Sequence, residues 1–343
     1  MNRTRLALIG AGVIGQRHLA AIAQVPDVEL VAIADPSPAS EKLAGDLNAA
    51  HFADSVDLLE VCRPDGVIIA TPTEHHLMPV IAALESGAHV LVEKPIMATL
   101  EECEQTIATA NSADRHVLVG HHRRYYGLVN QARDLIRQGR LGQLVGVVGQ
   151  WNVRKHADYY APDWRQKWQA GPILTNLIHD MDLLRYIAGD IVSISAETSN
   201  SVMGFEKEDA AAMVMRFENG ALGTFLLSDQ SHSPWSWEQA TGENAAFPRT
   251  GENPLRFMGT EGSLEFPNLK LWSSDAEAEW RTPLSRADLS NSLEDAFVNQ
   301  ISHFHAVVQG RELPRITAQD ATDTLKATLA VYQSAQSSSR IEL

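Results

Sequence analysis

The stretch Gly10-Ala11-Gly12-Val13-Ile14-Gly15 has the G-x-G-x-x-G spacing with which a backbone cradles a pyrophosphate. Gly10 permits a tight turn, Gly12 lets phosphates approach backbone N–H groups at a helix N-terminus, and Gly15 lets that helix pack against the preceding strand. Asp35 closes the next apolar run, twenty residues after Gly15. A carboxylate there accepts hydrogen bonds from ribose hydroxyls and repels a 2′-phosphate. No basic residue adjoins it, since Pro36, Ser37 and Pro38 follow. The pattern predicts a dinucleotide site that prefers NAD to NADP.

Two more polar turns follow apolar runs. Thr71-Pro72-Thr73-Glu74-His75-His76 comes after Val67–Ala70, and Glu93-Lys94-Pro95 comes after His89–Val92. Open α/β sheets bind ligands at such strand ends. A later concentration of Trp151, Arg154, Lys155, His156, Tyr159, Tyr160, Trp164 and Arg165 combines stacking faces with donors. That mixture suits a polyhydroxylated ring or a carboxylated substrate.

The elements that must position these groups fall into two kinds. Leu6–Ile9, Leu30–Ala34, Val67–Ala70, His89–Val92 and Val117–Val119 are apolar without alternation, as strands buried on both faces are. Helical stretches such as Val13–Gln24 and Leu77–Ser86 separate them, which predicts a parallel, doubly wound sheet. In the second half, Asn219-Gly220 joins Ala211–Phe217 to Ala221–Ser228 as a hairpin. Leu144–Val153, Ile191–Thr198, Leu255–Met258, Ser263–Phe266 and Leu269–Trp272 are further strands, with helices over Asn176–Ala188, Leu293–Gln309 and Ala318–Ser334. Ser228–Asn253 reads as a long loop. Every Trp and Tyr, and every Phe except Phe52, lies after residue 120, which marks a boundary near Gly120 to Arg124.

Composition narrows the function classes. The chain has 343 residues and a formal charge of −15, which disfavours nucleic-acid and anionic-membrane surfaces. No apolar run reaches the roughly 20 residues of a membrane helix. Arg3, Arg5 and the following apolar stretch imitate a short leader, but its glycines and Gln16-Arg17-His18 interrupt it. Cys62 and Cys103 have neither metal-ligand spacing nor a disulfide framework. A cytoplasmic protein without a metal centre is expected.

Taken together, the glycine loop, Ala70-Thr71-Pro72 with His76, Gly87 through Pro95, Gly120 through Tyr125, Gly171 through His179 and Met258 through Gly262 resemble the Gfo/Idh/MocA oxidoreductases. The resemblance implies a Rossmann domain over residues 1–122. Residues 123–343 would form a substrate-binding and oligomerisation α+β domain with an open, mostly antiparallel sheet. It implies that Lys94 acts between nicotinamide and the reacting hydroxyl, and that His179 assists. It places Thr71, Pro72, His76, Glu93, Lys94 and Arg165 with Gly10, Gly12, Val13, Ile14, Gly15 and Asp35 around the cofactor. Arg124, Trp151, Tyr159, Trp164, Thr175 and Asn176 join Lys94 and His179 around the substrate. The family carries an Asp four residues before the His; here that position is Thr175, which cannot hold a charge.

The activity implied is hydride transfer between NAD and a carbinol carbon of a sugar, inositol or related cyclic polyol. Non-catalytic NAD-binding regulators and NAD-dependent glycoside-cleaving enzymes of the same fold are the alternatives. A homodimer or homotetramer built through the C-terminal sheet is expected, because one face of such a sheet needs a cover.

Overall fold

The computed structural model describes residues 3–274, 276–290 and 292–343. They form two packed units, one of Met1–Tyr125 with Asp295–Leu325, the other of Tyr126–Glu294 with Lys326–Leu343.

The first unit is built on a parallel sheet of β1 (Thr4–Ile9), β2 (Val28–Ala34), β3 (Ala50–Phe52), β4 (Gly66–Ile69), β5 (His89–Val92) and β6 (Val117–Val119). Its order is β3-β2-β1-β4-β5-β6, so the chain reverses direction of travel between β1 and β4. That switch point is where such sheets open a crevice at their carboxyl ends. The apolar runs of the sequence are these strands, and β4 is buried along its whole length.

The helix Ala296–Val308 belongs to this unit, although its place in the sequence put it with the second half. Its Phe297, Ile301, Phe304 and Val307 pack into a core with Leu6, Leu8, Ile33, Ile68 and Leu91. His305 Nδ1 also meets Thr4 Oγ1 at 2.6 Å. Packing therefore divides the chain after Tyr125 and again at both ends of Asp295–Leu325, whereas a single break near 122 was expected.

The second unit holds a nine-stranded sheet. Its strands are β7 (Leu144–Asn152), β8 (Ile191–Ser199), β9 (Ala210–Phe217), β10 (Leu222–Ser228), β11 (Leu255–Gly259), β12 (Gly262–Phe266), β13 (Lys270–Ser273), β14 (Ser285–Asp288) and β15 (Ile341–Glu342). The order is β14-β13-β12-β11-β7-β10-β9-β8-β15, antiparallel except for the central β7–β10 pair. The expected hairpin is present: Gly220 takes φ 88°, and Asn219 Oδ1 accepts from the Ala221 N–H. Burial alternates strictly along β9 and β10, leaving Val214, Leu222 and Leu226 about half exposed on one face.

Two local expectations change. The stretch read as a long loop contains a helical turn, Trp237–Thr241, whose Ser236 hydroxyl caps the Gln239 N–H. The helix expected from Asn176 begins earlier, as a π-turn over Ile173–Leu177, and continues as the α-helix Ile178–Ala188. Such wide turns often mark functional positions.

Candidate functional site

In the first unit the glycine loop leaves β1 and enters the helix Val13–Ile22. Gly10 sits at φ +92°, and a Cβ there would lie 2.7 Å from the Ala70 carbonyl carbon. A Cβ on Gly15 would meet the Gly10 carbonyl oxygen at 2.1 Å, so the helix can approach only without one. At Gly12 the corresponding position is open space. No side chain caps this helix, and Val13 and Ile14 of its first turn remain exposed. Its first-turn N–H groups and dipole thus face open space, as a pyrophosphate site requires.

Asp35 stands at the end of β2 and holds two backbones. Its Oδ2 accepts from the Ala11 N–H at 2.8 Å and its Oδ1 from the Ser37 N–H at 2.8 Å. Each oxygen retains a further acceptor direction for a ribose hydroxyl. The cavity beside it is lined by Gly12, Gln16, Asp35, Ser37, Ser40 and Lys42. Lys42 is a finding that linear adjacency does not reveal: seven positions from Asp35, it lines the same cavity.

Thr71 and Pro72 follow β4 across the switch point from Gly10. His76 is buried, with Nε2 3.0 Å from the Thr71 carbonyl and Nδ1 3.1 Å from that of Ile96. Burial holds its pKa below the usual imidazole range, and the two carbonyls only partly counter this. His76 therefore braces the turn after β4 against the chain beyond Pro95. Lys94 follows β5, half-buried, with a cis bond to Pro95. Beside it the buried Glu93 carboxylate meets His18 Nε2 at 2.8 Å. Burial would raise the Glu93 pKa, but His18, His122 and Lys94 together hold it below the usual carboxylate range. Arg124 is buried in a two-pronged pair with Asp320, so its charge is engaged inside the unit.

In the second unit, Thr175, Asn176 and His179 are half-buried in a segment whose neighbours Leu177, Ile178, Asp180 and Met181 are buried. The Thr175 hydroxyl lies 2.9 Å from both the Gly171 carbonyl and Asn176 Oδ1. Asn176 Oδ1 also accepts from Lys155 Nζ at 3.1 Å. At the position next to Thr175, therefore, the polar contact is made with an ammonium.

Lys155 sits over the Tyr159 ring at 4.4 Å and lies 3.7 Å from Asp229 Oδ2. Burial pulls its pKa down to about 8, with Lys207 adding to the effect and Asp229 opposing it. Arg165 stacks on Tyr159 at 4.2 Å and donates to its carbonyl at 3.0 Å. Trp164 is exposed, whereas Trp151 is fully buried and donates to Glu238 Oε2 at 2.9 Å. Trp151 and Arg124 thus have internal occupations in place of open faces.

A network beneath this face has no sequence signature. Lys207, fully buried, donates to Asp229 Oδ2 and to the Glu208 carbonyl, both at 2.9 Å. Tyr160 donates to the same Asp229 oxygen at 2.8 Å. Glu208 accepts from the Ile173 N–H at 2.8 Å, anchoring the start of the π-turn, and from the Tyr332 hydroxyl at 2.9 Å. Burial raises the Glu208 pKa. Among the described residues no three His, Cys, Asp or Glu side chains cluster as metal ligands would, and no helix is long and apolar enough to cross a membrane.

Comparison with known proteins gives this geometry a context. Residues 4–121 match the Gfo/Idh/MocA oxidoreductase family's NAD-binding Rossmann fold, and residues 133–343 match that family's C-terminal alpha/beta domain. A 1,5-anhydro-D-fructose reductase of Ensifer adhaerens is 27% identical over 99% of this chain and 98% of its own. A scyllo-inositol 2-dehydrogenase (NAD(+)) of Bacillus subtilis is 26% identical over 100% of this chain and 97% of its own. Among solved structures, the WlbA dehydrogenase of Bordetella pertussis in complex with NADH and UDP-GlcNAcA has a TM-score of 0.80. It is 22% identical, covers 100% of this chain and 99% of its own, and speaks to the fold.

Proposed function

The chain belongs to the Gfo/Idh/MocA oxidoreductase family, and from that premise we propose that it transfers hydride between NAD and a carbinol carbon of a sugar, inositol or related cyclic polyol. The observation that carries the reading is the placement of Lys94 at the carboxyl end of β5, in the same sheet whose β1 and β2 ends carry the glycine loop and Asp35. The relatives named for an anhydrosugar and for an inositol support the substrate class.

Gly10, Gly12, Val13, Ile14, Gly15 and Asp35 would hold the dinucleotide, with Thr71, Pro72 and Glu93 shaping the neighbouring turns, and Arg165 is assigned to the cofactor by the family resemblance. Bound there, NAD would supply the hydride acceptor. Lys94, as the neutral amine, takes the hydroxyl proton as hydride leaves and the carbinol becomes a carbonyl, and the ammonium so formed stabilises the remaining alkoxide character. In the second unit His179, Asn176 and Thr175 supply hydrogen bonds to substrate hydroxyls, while Tyr159 and Trp164 offer faces to the ring. Asp35 favours NAD over NADP by repelling a 2′-phosphate, against the opposing pull of Lys42.

The open face of the second sheet, with Val145, Val148, Val214, Leu222 and Leu226 exposed, is assigned to a second copy of the chain. Light scattering that finds only monomer would remove this assignment. The two unpaired cysteines, Cys103 buried and Cys62 half-buried, fit a cytoplasmic setting. Incubating the protein with NAD and a panel of sugars, inositols and cyclic diols tests the function. Formation of NADH with one of them supports the dehydrogenase; NAD binding without turnover of any would favour a regulator.

A further inference from the structure

His18 lies one turn beyond Gly15, on the helix that the glycine loop opens. It is fully buried, its Nε2 is 2.8 Å from Glu93 Oε1, and its Nδ1 has no hydrogen-bond partner. The tautomer with its proton on Nε2 suits such a site, since a bare ring nitrogen is cheaper to bury than an unpaired N–H. The other carboxylate oxygen, Glu93 Oε2, accepts from the Lys94 N–H at 3.2 Å. Room for the carboxylate depends on Gly120, where a Cβ would stand 2.8 Å from the Glu93 carboxyl carbon. Phe297 closes the cluster, edge-on to His18 at 5.3 Å and stacked on His122 at 4.6 Å. Its ring also carries the Arg17 guanidinium at 4.6 Å, which pairs with Asp295.

A buried carboxylate is costly, and apolar side chains of similar volume fill space at least as well. Keeping one at the root of the loop that bears Lys94 has an electrostatic consequence. The titratable groups that bear on Glu93 are His18 from the first helix, His76 from the turn after β4, His122 from the turn after β6, and Lys94 from its own loop. The attraction between Glu93 and Lys94 is mutual: a charge that favours the carboxylate form also favours the ammonium.

We propose that His18 and Glu93 are positioning residues for Lys94: the imidazole pins the carboxylate, and the carboxylate fixes the Lys94 backbone and sets the potential at its ammonium. One helix would then connect the pyrophosphate loop at its start with the placement of Lys94 at its middle. This inference rests on the assignment of Lys94 as the proton acceptor, and the test separates the two.

The experiment uses the full chain with NADH bound, its lysines reductively ¹³C-methylated, and the Lys94 signal identified as the one missing in K94R. Titration by NMR reads the Lys94 midpoint without any substrate. Glu93→Gln should move that midpoint to lower pH by about 0.5 to 1 unit, a three- to tenfold change in the protonation equilibrium. His18→Leu, which leaves the carboxylate without its donor, should shift it in the same direction. His18→Gln, which keeps a donor near Nε2, should restore most of the wild-type value. NADH affinity, followed by fluorescence, should change less than about twofold in His18→Gln. An unmoved midpoint in Glu93→Gln, with NADH binding retained, would overturn the proposal, and it decides the matter even if His18→Leu does not fold. Turnover that survives Lys94→Ala would instead remove the role assigned to Lys94, whatever the titration gives.

Discussion

The two polar regions of this chain are made differently. Around Gly10 to Gly15, Thr71 and Lys94, the backbone is the main reagent: glycines, strand ends and a helix N-terminus create the opening, and Asp35 and His76 hold turns in place. Around Asn176 and His179 the reagents are side chains drawn from distant elements, with Lys155, Lys207, Tyr160 and Asp229 sharing hydrogen bonds and charge. The first arrangement depends on local chain geometry and stands with few partners. The second depends on every member being present, because each buried charge is satisfied by another.

That contrast predicts where substitutions bite. Removing a charge from the second region should cost most. Lys207→Met leaves Asp229 and Asp209 buried without their nearest fully buried cation, and should destabilise folding by about 3 to 5 kcal/mol. Urea unfolding measures it, and a loss below about 1 kcal/mol would mean the network is not a buried interdependent one.

A smaller effect should separate charge from structure at Lys155. Its pKa of about 8 lies below the ordinary lysine value, so the ammonium is present below pH 8 and is lost as pH rises through that point. Substrate affinity that uses the ammonium should fall over the same interval. Lys155→Met should weaken binding about tenfold below pH 8, the scale of one charge-assisted hydrogen bond, and flatten the dependence. A limb near pH 8 that persists in the variant would assign it to another group.

The smallest effect belongs to the first region. Asp35→Ser keeps a hydrogen-bonding side chain but drops the charge, and should narrow the preference for NAD over NADP about tenfold, roughly 1.4 kcal/mol. Titration of both cofactors reads it; tighter NADP binding by the unaltered chain would show that Lys42 outweighs Asp35.

The same contrast explains what the sequence disclosed. The parallel strands, the glycine loop and Asp35 were legible because apolar runs, fixed spacing and strand ends are local signals. The hairpin at Asn219-Gly220 was legible for the same reason. The His18–Glu93 pair spans 75 positions and Lys207–Asp229 spans 22, and no periodicity connects such partners. Lys42 escaped notice because a helix, not the linear sequence, carries it to the cavity beside Asp35. The helix Ala296–Val308 was visible as a helix, yet an apolar stripe does not say which sheet it will cover. Thr175 was visible as a departure from the family pattern, but its neighbour's contact with Lys155 needed the folded β7 connection.

The central claim is that Lys94 handles the proton of the reacting hydroxyl. Lys94→Ala should lower the hydride-transfer rate by about 10² to 10⁴, measured as NADH formation in a single turnover with the polyol that the wild type oxidises. NADH affinity should stay within about twofold. Near-normal hydride transfer in that variant, or a loss matched by an equal loss of NADH binding, would contradict the account.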